Sequence, residues 1–253
     1  MVRKILFSLI CFFSIYSCKQ QKLSYVTKHF ELKDTQCKSK NCTSVNFQYV
    51  YFEGENADTL NKVVDEYIGA SFVDDSLVKQ TPEQAAQAFI EMYREVQKEF
   101  PDADMPWYLK RKLMVDTQFN NIITLEYSES SYTGGAHGSY FTQYNSYQLK
   151  PFKILWIGDF LLNPKDTSIL IKIAESVFRE DQKLGAYDNL EEAGFFFENG
   201  IFRLNDNFHF TSTGLEFHFN IYEIQPYAMG EYKLLIPYNK IDNLLNKSML
   251  QPL

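Results

Sequence analysis

Alternation and helical spacing of the apolar side chains divide most of this chain into elements before any chemistry is considered. Val45-Asn-Phe-Gln-Tyr-Val-Tyr-Phe52 alternates apolar and polar residues and then turns continuously apolar, as a strand entering a core does. Phe52-Glu-Gly-Glu-Asn56 turns the chain, and Leu60, Val63, Val64, Tyr67 and Ile68 recur at helical spacing behind two capping candidates, Asn56 and Asp58. A second helix has clearer signals: Thr81 can cap, Pro82 suits the first helical position, and Gln84 completes a capping box. Phe89, Ile90, Tyr93, Val96 and Phe100 line its apolar face. Residues 107–116 and 121–127 read as antiparallel strands joined around Gln118-Phe-Asn120. Residues 139–149 form a long alternating strand, with Tyr140, Thr142, Tyr144 and Ser146 on one face and Phe141, Gln143, Asn145 and Tyr147 on the other.

The second half repeats this mixture without repeating the sequence. A short apolar strand at 152–157 precedes a helix opened by Asp166 or Thr167, with Ile169, Leu170, Ile173, Ala174, Val177 and Phe178 in its stripe. After a charged loop, 195–198 and 201–204 flank Asn199-Gly200, the strongest short hairpin signal. A second hairpin joins 207–211 to 215–220 through Ser212-Thr-Gly214, a last strand covers 232–236 before Pro237, and Ile241, Leu244 and Leu245 mark a closing helix. Hairpins with helices grouped between them define an α+β fold of antiparallel sheets and packed helices. Two consecutive subdomains are expected, 45–149 and 150–253.

The first residues concern the compartment. Arg3 and Lys4 precede an apolar run from Ile5 to Tyr16 that is too short to span a bilayer and has the form of a secretory signal. Its end, Ile15-Tyr16-Ser17-Cys18, resembles the lipobox of bacterial lipoproteins in the looser form seen among Bacteroidetes. That resemblance implies residues 1–18 as leader with Cys18 as the lipidated anchor. Residues 19–44, polar and lysine-rich, are expected to be a flexible tether with no helix. Lys19 is not the aspartate associated with inner-membrane retention, so an extracytoplasmic, membrane-anchored lipoprotein of the outer membrane is expected. With Cys11 in the leader and Cys18 acylated, Cys37 and Cys42 remain as an even pair, either a small-loop disulfide or two thiols.

Composition narrows the chemistry. Hydrophobic residues make up 45% of 253, enough to fill a core, and 16% aromatics favour strands. A net charge of −7 lacks the clustered cations that phosphate contacts need, so nucleic acid is not an expected partner. His29, His137, His209 and His218 never stand three or four apart, and no metal site is predicted. His209 and His218 each lie between phenylalanines, which places them on the polar face of a sheet. Gly-x-Ser-x-Gly, phosphate-loop and dinucleotide patterns do not occur, so no catalytic residue or cofactor is assigned. Glu126, Glu129, Glu216 and Glu223 could supply a glycosidase pair, with Glu223 the one to watch.

Two stretches stand out as candidate binding elements. In Tyr132-Thr-Gly-Gly-Ala-His-Gly138, Gly134, Gly135 and Gly138 permit positive backbone angles and close approach, and His137 would sit on a tight turn; a bend that only lets strands pack has the same composition. In Tyr222-Glu-Ile-Gln-Pro-Tyr-Ala-Met-Gly230, Pro226 and Gly230 break the strand, while Tyr222 and Tyr227 offer a ring face and a hydroxyl, for packing or for contact with a sugar or protein. The candidate set is therefore Tyr132, Gly134, Gly135, His137, Gly138, Tyr222, Glu223, Tyr227 and Gly230.

Together with Thr213-Gly-Leu-Glu-Phe-His-Phe219 and Leu235-Ile-Pro-Tyr238, these stretches resemble the paired extracytoplasmic domains found in the anti-sigma factor RsiV and ahead of the catalytic domain of the peptidoglycan deacetylase PdaC. The resemblance covers residues 45 to 248. It implies a two-part α+β fold and a non-enzymatic envelope role, with a lysozyme-like protein or a wall glycan as ligand, since RsiV binds lysozyme through this region. No sigma-binding segment, transmembrane helix or deacetylase domain is read in this sequence, so neither RsiV-type signalling nor the PdaC reaction is expected. An envelope hydrolase using Glu223 with His137 or a second carboxylate is the competing class.

Overall fold

The structure is a computed structural model that describes residues 23–37, 42–55, 57–72, 80–101, 105–119 and 121–250. The chain runs β1 (Ser24–Lys33), β2 (Ser44–Glu53), α1 (Ala57–Ile68), α2 (Pro82–Glu99), β3 (Tyr108–Phe119), β4 (Ile122–Tyr132), β5 (Ser139–Leu149) and β6 (Phe152–Leu155). These six strands form one sheet in sequence order. All neighbours are antiparallel except β2 and β3, which run parallel because both helices lie in the crossover between them. The capping box at Thr81 and Gln84 is formed, with Pro82 in the first turn, but Phe100, expected on the buried face of this helix, lies past its end and is 60% exposed. Asn61 of α1 clamps the end of β2, accepting from the Phe52 N–H at 2.8 Å and donating to its carbonyl at 3.0 Å. Val45 and Phe47, Leu60 and Val64, Phe89, and Leu109 and Leu113 close the first core between helices and sheet.

The remainder is α3 (Thr167–Asp181), followed by β7 (Phe208–Phe210), β8 (Gly214–Phe219) and β9 (Tyr232–Pro237) in a three-stranded antiparallel sheet. α3 packs on β9. Phe178 sits at the centre of the second core, its ring 4.9 to 5.5 Å from those of Phe195, Phe197, Phe202 and Tyr232.

Several expectations change. Residues 24–33, expected within the tether, form β1; it is an edge strand with only Phe30 and Leu32 partly buried on the core, so it lacks the periodicity that would mark it. The expected break at residue 149 falls inside the β5–β6 hairpin, whose linking Lys150–Pro151 bond is cis; the first sheet runs on to Leu155. Asn199 and Gly200 take positive φ as a tight hairpin requires, yet no strands flank them. Phe197 and Phe202 are drawn into the Phe178 cluster, and the Phe196 N–H bonds the Ile224 carbonyl instead, so ring burial overrides strand pairing. The closing helix shrinks to one turn, α4 (Tyr238–Ile241), with Leu244 and Leu245 buried beyond it. Cys37 and Cys42 form a disulfide. The capping candidate Asn56 and the expected anchor Cys18 lie outside the described residues.

The two sheets are joined by side-chain amides. β6 pairs only with residues 146–149 of β5, which leaves the outer edge of β5 without a strand partner before that point. Asn207 closes part of it, accepting from the Tyr144 N–H at 2.8 Å and donating to the Thr142 carbonyl at 2.8 Å. Asn220 accepts from the Thr142 N–H at 2.7 Å and donates to the same carbonyl at 3.0 Å. Two amides thus imitate the ladder of a missing strand. Asn207→Leu, close in volume, is expected to cost about 2 kcal/mol because it strands a buried Tyr144 N–H; a shifted urea midpoint with an unchanged slope reads that loss.

Candidate functional site

The glycine-rich turn joins β4 to β5, and its three glycines do different work. Gly134 and Gly135 have φ of 97° and 90°, which any other residue would adopt with strain. Gly138 is needed for space: a Cβ there would lie 2.7 Å from the Ser131 carbonyl and 3.0 Å from the Tyr108 hydroxyl. Tyr132 pins the turn by donating to the Gly135 carbonyl at 3.0 Å, and its ring stacks on Tyr108. His137 is left exposed at the tip.

The Tyr222–Gly230 segment comes to meet it. Tyr227 stacks on His137 with ring centres 3.8 Å apart and points its hydroxyl toward the Gly138 carbonyl at 3.5 Å. Tyr222 reaches His137 Nε2 at 3.4 Å through its hydroxyl and holds a φ of 65°, a strained setting for a bulky residue. That strain is enforced by a tight turn in which the Glu223 N–H bonds the Asn220 carbonyl and the Asn220 N–H bonds Glu223 Oε2. Between the two segments opens a cleft of about 310 Å³, walled by His137, Gly138, Tyr140, Phe141, Asn220 and Tyr222 among others.

Of the nine candidates, Tyr132, Gly134, Gly135, His137, Gly138, Tyr222 and Tyr227 build this corner. Glu223 is spent on the turn, since Oε1 accepts from Asn205 and Oε2 from the Asn220 N–H, and the cleft wall is made by Ile221 and Tyr222 beside it. Gly230 serves the loop from behind: φ is 75° and its carbonyl accepts from the buried Gln225 amide. Sequence reading missed Tyr140, Phe141 and Asn220 as cleft residues, because exposure at an unclosed sheet edge leaves no mark in an alternating strand. Among the described residues no group of three potential metal ligands converges, and no helix is long and apolar enough to cross a membrane.

The two strand histidines face a buried junction rather than solvent. His209 stacks on Tyr144 at 3.9 Å, with Asp116 at 3.1 Å and Glu216 at 3.3 Å from its two nitrogens. Burial depresses its basicity, but hydrogen bonds and charge from the two carboxylates outweigh this and raise its pKa above the ordinary 6.5. His218, 1% exposed, moves the other way, because its burial, helped by the charge of Lys233, outweighs the carboxylates of Glu231 and Glu216. The folded chain therefore holds a proton on His209 that the unfolded chain releases as pH climbs past about 6.5. The stabilisation is complete below that value and lost as pH rises through the folded pKa. His218 penalises folding on the acid side. In chemical denaturation across pH, stability is expected to fall on the alkaline side, and His209→Gln to flatten that limb alone.

A two-part α+β protein with an aromatic cleft at the open edge of its larger sheet is what the geometry defines. Residues 36–140 match the family described as deacetylase PdaC, and residues 159–239 match the protein family of unknown function DUF3298. The chain thus carries matches to these two domains in tandem. Its fold is that of a crystallised DUF3298 member from Bacteroides fragilis, 21% identical with a TM-score of 0.65 over 89% of this chain and 93% of that one. A DUF3298 family protein from Pseudomonas aeruginosa is 19% identical with the same TM-score, covering 89% and 95%. No curated protein matches the chain.

Proposed function

We propose that this chain is a lipid-anchored, extracytoplasmic binding protein that captures a lysozyme-like protein at the cleft. The observation that carries the reading is the meeting of His137 with Tyr222 and Tyr227, from segments 85 residues apart, with Tyr222 kept strained and 55% exposed at the rim. A fold gains nothing from holding a tyrosine in that state, and backbone strain of this kind collects at ligand sites. Resemblance to the lysozyme-binding region of RsiV supports the choice of partner, and the net charge of −7 suits a basic one. A wall glycan is a second reading, favoured by the exposed rings of Tyr140 and Tyr222, which could stack on sugars. Hydrolysis through Glu223 is disfavoured by the occupation of both its oxygens.

Tyr222→Gly separates binding from folding. Glycine relaxes the positive φ, so stability is expected to hold or rise by up to about 1 kcal/mol. Affinity for a c-type lysozyme is expected to fall at least about tenfold, as loss of an anchor ring does. Unchanged affinity in a stably folded variant would remove Tyr222 and the cleft from the interaction.

A further inference from the structure

The outer edge of β5 is closed in two places and open in one. β6 covers residues 146–149, and the amides of Asn207 and Asn220 take the Tyr144 N–H and both backbone groups of Thr142. Backbone groups in an antiparallel ladder alternate between the two edges of a strand. The register of β5 against β4 is unbroken from Ser139 to Gln148, so Tyr140, two residues before Thr142, directs its N–H and C=O to this same outer edge. Among the described residues no side chain of the second part hydrogen-bonds these groups, and Tyr140 is 43% exposed. At the next outward position, Gly138, the carbonyl is met only by the Tyr227 hydroxyl at 3.5 Å and His137 Nδ1 at 3.1 Å. The cleft lies over this gap, with Tyr140, Phe141 and Tyr222 as apolar walls.

We propose that the cleft accepts an extended peptide segment of a partner protein as a short added strand on β5, paired with the N–H and C=O of Tyr140. This rests on reading the cleft as the binding site. The occupant is argued from continuity: the same edge is already completed by amide groups from the second part, and an extended peptide presents the same donor and acceptor one step further along. In strand addition, main-chain hydrogen bonds supply affinity and side-chain pockets supply specificity. A cleft of about 310 Å³ between Gly138 and Asn220 suits a few residues, not a long strand. A partner would therefore present a loop tip or chain end.

The probe is a blocked Thr-Val-Thr-Val peptide titrated into the isotope-labelled chain from residue 19 onward, followed by amide resonances and hydrogen exchange. The Tyr140 amide is expected to shift and to exchange at least about tenfold more slowly, the effect of one added hydrogen bond. The same peptide N-methylated at alternate residues is expected to do neither. Tyr140→Pro removes the outward donor without touching the ladder to β4, as proline is tolerated on a free edge, and is expected to weaken peptide binding about tenfold. No protection at Tyr140, or equal protection by the methylated peptide, overturns the proposal. A c-type lysozyme then separates the two readings. If it binds Tyr140→Pro as tightly as the parent chain, edge pairing falls and capture stands. If it fails to bind while the peptide protects Tyr140, edge pairing stands and lysozyme capture falls.

Discussion

Arg111→Met is expected to lower stability by about 3–5 kcal/mol, the usual cost of removing one partner from a buried charged network. Arg111 is 3% exposed on the helix side of β3. Its Nε donates to Glu129 Oε2 at 2.7 Å, and its Nη1 donates to the carbonyls of Ile68 and Ala70 at 2.9 and 2.7 Å. The Ile68 carbonyl ends α1 and the Ala70 carbonyl lies just past it, where helical partners run out and a cation is favoured by the helix dipole. The same Glu129 oxygen accepts from the Tyr127 hydroxyl at 2.7 Å. One substitution therefore uncaps a helix and leaves the Glu129 carboxylate without its cation, with only the Tyr127 hydroxyl still donating to that oxygen. Methionine fills the space of the stem but supplies no donor. Glu129→Gln keeps an accepting oxygen and is expected to cost only about 1 kcal/mol. Urea denaturation of both variants, with the midpoint compared at a common slope, checks the pair.

Phe178→Ala is expected to cost a comparable 3–5 kcal/mol, through lost burial and a cavity the surroundings cannot fill. The ring is fully buried and touches four other rings, three from one loop and the fourth from β9. Residues 182–207, which supply three of them, contain no strand and only a turn of 3-10 helix, so few ladder hydrogen bonds fix their course. Their order depends on packing around this one side chain. Amide exchange in 182–207 is expected to accelerate in Phe178→Ala while β2, β3 and β4 stay protected. Uniform acceleration throughout both cores would instead mean that the two parts unfold as one unit.

What the residues disclosed in advance follows the physics that acts locally. The capping box at Thr81, the stripe of α3 and the face assignment along β5 depend on neighbours in sequence, and each is found in place except at Ile169, which α3 leaves 45% exposed. β1 was hidden because only Phe30 and Leu32 of this edge strand reach the core, and Lys28 interrupts the alternation on their face. The Asn199-Gly200 signal was real in its backbone angles but lost to ring burial, a force that depends on residues far away in the chain. At the site, glycine and aromatic composition marked the two segments, and they do meet. The bonds that tie Glu223 to Asn205 and Asn220 were not visible, because a carboxylate that caps a turn and one that works on a ligand look alike in sequence. The edge of β5, and the asparagines that close part of it, emerge only once strand order and register are known.

The central claim is that this cleft captures a protein. Calorimetric titration of the chain from residue 19 onward against a c-type lysozyme tests it most directly, with lysozyme activity followed in the same samples. Saturable heat with matching inhibition, both lost in Tyr222→Gly, is the predicted result. No heat and no inhibition from a folded chain would contradict the account.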